Sequence, residues 1–113
     1  MSEALKPHWF HILLALAGAP LHGTAIVEEV LERTRGGVRL WPGTLYGSLR
    51  DLEGKGFIAE TDPPADAPTE GGKRRFYRIT PSGEAVLRRE VAVLRGILDI
   101  ARERDLLGDA GAG

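Results

Sequence analysis

The last third of the chain limits the fold most. From Thr80 it reads TPSGEAVLRREVAVLRGILDIARERDLL, with Thr80 placed to cap a helix, Pro81 in the first turn and Glu84 in an acidic opening. Leu87, Val91, Leu94, Leu98 and Ala101 then advance by alternating steps of four and three, the spacing of a heptad seam. A second stripe of Val86, Val93, Ile97 and Ile100 runs beside the first. Two adjacent stripes give this helix more apolar face than one helix of a small domain of its own can cover. The economical cover is the first helix of the chain together with the same elements of a second copy, because symmetric dimers are the commonest oligomers. The alternative is a helix folded back on its own domain. The expectation is therefore a homodimer whose interface contains Leu87, Val91, Leu94, Leu98 and Ala101.

Little length remains for anything else. A chain of 113 residues has room for one domain, and its 42% apolar and 27% charged residues are those of an ordinary globular protein. Without cysteine it has neither disulfides nor thiolate metal sites. Its most apolar run, WFHILLALAGAPL, is too short to span a bilayer and lacks the basic region of a secretory signal, so a cytoplasmic protein with no membrane partner is expected.

Upstream, EALKPHWFHILLALAG carries Trp9, Ile12, Leu13, Leu16 and Ala17 at helical period, and Gly18, Pro20 and Gly23 break it. TAIVEEVLERTRGG follows as a second helix, with Ile26, Val27, Val30 and Leu31 on one face, Glu28 and Glu29 read as an acidic first turn, and Gly36 and Gly37 as the stop. Val38 to Leu40 form a link able to pair as a stub of strand. The third helix opens at WPGT, with Pro42 in the first turn and Thr44 or its neighbours as cap. It buries Leu45, Leu49 and Leu52 and ends at Gly54 and Gly56.

FIAE and RRFYRIT then read as two strands joined by the Pro-rich acidic loop Glu60 to Glu70, a hairpin wing. In RRFYRIT the alternation sets Phe76 and Arg78 on one face and Tyr77 and Ile79 on the other. The order of elements predicts a mainly α fold with a small β-hairpin: a winged helix-turn-helix over residues 1–80, a long C-terminal dimerisation helix over 81–107, and a disordered tail at 108–113.

A third helix so placed enters a DNA major groove. If Leu45, Leu49 and Leu52 point inward, the opposite face presents Thr44, Tyr46, Gly47, Ser48, Arg50 and Lys55. Arg50 pairs with guanine or phosphate, Ser48 and Thr44 are short donors and acceptors, and Tyr46 bonds a phosphate or touches a thymine methyl. Gly43 and Thr44 at the helix N-terminus offer free N–H groups to phosphate. On the wing, Lys73, Arg74 and Arg75 reach phosphates or the minor groove. Net charge, −1, weighs against any nucleic-acid partner, since phosphate binding needs local positive charge, but acid and base are segregated along the chain. Each side chain also has a plainer reading: Tyr46 packed on the wing, Arg50 paired with Glu53 or simply solvated, the basic wing tip merely solvated.

LALAGAPLHG, GTLYGSLRDLEGKGFI and RRFYRITPSG, in this order and spacing, resemble the PadR family of transcriptional regulators over roughly residues 5 to 105. The long helix with nothing after it is similar to the short subfamily with a single C-terminal dimerisation helix. Two positions depart from the family: Thr24 stands where an aromatic residue usually follows HG, and Gly47 where Pro is favoured. The resemblance implies operator binding by a homodimer that represses transcription. It also implies release by a small aromatic effector, with Trp9, Phe10, Leu94 and Leu98 bordering the pocket between subunits; the plainer reading has Trp9 only filling the dimer core.

Other chemistry finds no support. His8, His11 and His22 invite a metal reading, and His8 and His11 are three apart, but neither cysteine nor clustered carboxylate completes a metal shell, so neither metal nor cofactor is expected. Nor is there a nucleophile elbow, phosphate loop or paired-carboxylate constellation, which speaks against an enzyme. The remaining alternative is a winged-helix protein-interaction module that does not bind DNA.

Overall fold

A computed structural model describes residues 5–65 and 74–108. Within them the elements run α1 (Pro7–Gly18), β1 (Leu21–His22), α2 (Gly23–Arg33), α3 (Pro42–Gly54), β2 (Ile58–Thr61), β3 (Phe76–Ile79) and α4 (Pro81–Glu103). The fold is mainly helical with a small antiparallel sheet, a winged helix ending in a long C-terminal helix.

The apolar periodicity places the core where the three helices and the sheet meet. Ile12, Leu13 and Leu16 of α1 pack with Ile26 and Val30 of α2, Leu45, Leu49 and Leu52 of α3, Ile58 of β2 and Tyr77 of β3. Leu40, in the link before α3, is also buried and belongs to this cluster.

The sheet has one strand more than a hairpin. Its order is β1-β3-β2, with Leu21 opposite Tyr77 and His22 opposite Phe76 on one side of β3, and Ile58 opposite Ile79 on the other. Phe76 and Tyr77 of the central strand β3 are both buried although they alternate, Tyr77 within the core cluster and Phe76 against the His22 ring. The stub of strand is therefore Leu21–His22, in the stretch read as a break. Val38 to Leu40 are unpaired. A two-residue strand has no period to detect, and its partner lies more than fifty residues away.

Helix ends follow local chemistry. α2 starts at Gly23, capped by His22, whose Nδ1 accepts the Ala25 N–H at 3.2 Å. Glu28 and Glu29 therefore fall beyond the first turn, where Glu29 pairs with Arg33 one turn on. α3 begins with Pro42 after Trp41, and no side chain caps it, so the expected Thr44 cap is absent. At its other end the Gly56 N–H bonds to Glu53 O and the Phe57 N–H to Leu52 O, with Gly56 at φ +77°, a left-handed turn that glycine adopts without strain.

α4 is fixed to the sheet at its first turn. The Thr80 hydroxyl donates to Gly56 O at 2.6 Å and accepts the Gly83 N–H at 3.1 Å, while the Thr80 N–H bonds to Phe57 O. A Cβ on Gly83 would stand 2.1 Å from Phe57 O, so only glycine permits this approach. Leu87, expected on the dimer seam, is consequently drawn into the core and is 6% exposed. From Val91 onward α4 leaves the domain, and Val91, Val93, Leu94, Ile97, Leu98 and Ile100 are exposed.

Candidate nucleic-acid interface

α3 has two unlike sides. At 3.6 residues per turn, Ser48 lies about 60° from Leu45 and about 40° from Leu52, within the buried arc. It is 8% exposed, which removes it from the groove-facing set, where its polarity had suggested it belonged. The opposite side carries Tyr46 and Arg50 among Gly43, Gly47 and Gly54, and a Cβ on any of these three glycines would meet nothing within 4 Å. Among the described residues no ion pair involves Arg50, so the pairing with Glu53 is not made. Thr44 is exposed on the first turn. Lys55 sits at the far end of α3 with its ammonium 5.6 Å from the Trp9 ring, to which Lys6 also comes within 4.8 Å, and so lies toward α1.

Tyr46 stands between two clefts. One, of ≈ 430 Å³, is bounded by His22, Gly23 and Thr24 at the start of α2 and by Tyr77, Arg74 and Arg75 of the wing. The other, of ≈ 270 Å³, runs beneath Arg39, Trp41 and Pro42. Thr24 and Tyr46 line both. The Tyr46 ring rests against Gly23, where a Cβ would lie 3.4 Å from the phenol oxygen. Packing at the start of α2 and exposure to the cleft thus coexist in Tyr46, which is 54% exposed.

His22 joins three elements. Besides capping α2 it pairs within β1, stacks edge-on against Phe76 at 5.3 Å, and has Arg74 Nη1 3.2 Å from its Nε2. Burial first, and then the Arg74 guanidinium, lower its pKa from the usual 6.5, against an opposing pull from Glu28. Protonation would remove the acceptor that caps α2 and set like charges together. Arg75 lies 3.5 Å from Glu60 across the wing, both largely in water, a pair that contributes at most about 1 kcal/mol. Lys73 and residues 66–70 of the acidic loop lie outside the described residues.

Comparison with known proteins places this architecture. The family model described as "Transcriptional regulator PadR-like family" matches residues 12–89. The chain belongs to the PadR-like family of transcriptional regulators. Among relatives, this PadR-family chain is 37% identical over 93 residues to Transcriptional regulator Rv3488 of Mycobacterium tuberculosis, covering 82% of this chain and 78% of that one. A PadR family transcription regulator from Clostridium difficile shares its fold with TM-score 0.68 and 25% identity over 84% of this chain and 94% of that chain. Bacillus subtilis PadR, solved in complex with operator DNA, superposes with TM-score 0.65 at 20% identity, covering 79% of this chain and 48% of that chain.

On the PadR-family fold, the structure brings Tyr46, Arg74 and Arg75 to one cleft, leaves Arg50, Gly43 and Thr44 on open parts of α3, and separates Ser48 and Lys55 from them. The four residues expected to border an effector pocket are not gathered within one chain. Trp9 is in the core with Phe10 packed against it, whereas Leu94 and Leu98 face outward. Sequence reasoning passed over Arg39 and Trp41, and weighed His22 only as a metal ligand. His22 is an unusual capping residue, and Trp41 takes a position where Ser, Thr, Asp or Asn would be the ordinary choice.

Proposed function

We propose that this PadR-family regulator binds double-stranded DNA sequence-specifically as a homodimer, acting in the cytoplasm as a repressor and without catalysis. Residues 1–80 bind DNA and 81–107 dimerise; of the tail read at 108–113, residues 109–113 lie outside the described residues. The observation that carries this reading is the outer side of α3, where Arg50 makes no ion pair among the described residues and stands among glycines that let the helix backbone come close to base edges. Glycine at these positions stabilises no helix and fills no core, which fits a surface shaped for close approach.

In this reading Arg50 reaches a guanine edge or a phosphate, while Tyr46, Thr44 and the N–H groups near Gly43 engage the backbone. Arg74 and Arg75, with Lys73, hold flanking phosphates or the minor groove. Two α3 helices held by paired α4 helices enter successive major grooves about 34 Å apart, so the operator is near-palindromic. The operator complex of the Bacillus subtilis protein supports the DNA partner. Release by a flat aromatic molecule at the junction of Trp9 and Phe10 with Leu94 and Leu98 belongs to the same proposal; Trp9 emission unmoved by a panel of planar aromatics would remove it.

The test is selection from genomic fragments by the purified protein at two salt concentrations, followed by sequencing. A two-fold symmetric motif enriched at low salt and weakened at high salt is expected. No enrichment at either salt would favour a winged helix that holds a protein partner instead.

A further inference from the structure

The two clefts meet at Thr24 and Tyr46, and each carries guanidinium at its outer end, Arg39 beside Trp41 on one side and, beyond His22 on the other, Arg74 together with Arg75, the latter paired with the exposed Glu60. Among the described residues that line them there is no carboxylate, in a chain whose net charge is −1. Trp41 adds a second, independent observation. It occupies the N-cap of α3 without making a capping bond and is 63% exposed, with the Arg39 guanidinium 5.2 Å from its ring. A large apolar ring in water and an unmade cap both work against stability, so neither is explained by folding.

We propose that the paired clefts form one continuous track for the sugar-phosphate backbone of a single DNA strand, in which Arg39 holds a phosphate and Trp41 packs on the adjacent deoxyribose. Arg74 and Arg75 hold the strand at the far end, and Thr24 and Tyr46 form the ridge between. The track rests on the DNA-binding reading and deepens it, since it adds Arg39, Trp41 and Thr24 to the contact surface and gives them a positioning role that carries no sequence information. Arg50 stands apart as the reader of bases. The occupant suits the chemistry: a polyanion with an apolar sugar at each step matches guanidinium and ring, and Gly23 and Thr24 at the start of α2 line the first cleft.

The test uses the full chain and a fluorescent duplex carrying the sequence enriched by selection, with a scrambled duplex beside it. Arg39→Ala should weaken binding to both duplexes by the same factor and reduce the slope of log K against log salt by about 1 per subunit, the signature of one lost phosphate contact. Arg50→Ala should instead lose affinity mainly for the enriched duplex. Trp41→Ser supplies an ordinary capping residue, so its thermal midpoint should rise while its affinity for both duplexes falls. A variant that had simply misfolded would lower both. In Trp9→Phe protein, DNA should shield the remaining Trp41 from acrylamide quenching. Unchanged affinity and salt slope in Arg39→Ala and Trp41→Ser, with wild type binding normally, would overturn the track and leave the regulator reading intact. Failure of wild type itself to bind either duplex at low salt would overturn both.

Discussion

Gly83 shows how much one missing methyl group decides. With Phe57 O 2.1 Å from where its Cβ would lie, Gly83→Ala must push α4 off Phe57, the residue before β2, breaking the Thr80 cap as well. A loss of about 1–3 kcal/mol is expected, read as a lower urea midpoint. His22 gives a pH dependence of definite sign. Its folded pKa lies below the unfolded value, so the unfolded chain takes up the proton first and stability falls as pH drops below about 6.5. His11, lowered by burial, Arg33 and His8, acts in the same direction. Replacing both, as His11→Gln with His22→Asn, keeps a capping side chain at 22 and should flatten the midpoint between pH 7 and pH 5 relative to wild type. An equal slope in both proteins would contradict the assignment. Ser48 shows what one-residue chemistry conceals: its polarity suggested the groove, whereas its angular position about α3 puts it inside.

At the scale of elements, α1, α2, α3 and α4 were legible because each repeats apolar residues at helical spacing between Gly or Pro stops. The wing strands were legible through their aromatic content. β1 was not, since two residues paired across a long stretch of chain leave no local signal, and His22 lies outside the usual capping residues. The ends of helices also store a small, testable difference. α2 closes with Arg35 at φ 53°, held by the Gly36 N–H to Leu31 O bond, where a side chain is disfavoured. Arg35→Gly should therefore raise stability by about 1 kcal/mol and Gly56→Ala lower it by about 1 kcal/mol, both measured by denaturant titration. The opposite signs, at ends built from the same hydrogen bonds, make the pair a stringent check.

For the whole molecule, the heptad spacing announced an apolar face, and the structure leaves that face uncovered from Val91 to Ile100 while absorbing Leu87 at the root of the helix. The sequence did not reveal where the domain ends and the free helix begins, because that boundary depends on the close approach of Gly83 to Phe57. Leu94→Lys together with Leu98→Lys should yield a folded monomer by sedimentation, with weakened DNA binding because the two α3 helices are no longer held together. A dimer persisting in this variant would move the interface elsewhere.

Clefts free of acid among their described lining residues resolve the apparent conflict between an acidic chain and a polyanionic partner, since local charge governs contact. Titration of the enriched duplex and a scrambled one over a range of salt tests the central claim most directly. The regulator reading predicts log K falling linearly with log salt on both, with the enriched duplex at least about a thousandfold tighter. Equal affinity for the two duplexes, or binding indifferent to salt, would contradict it.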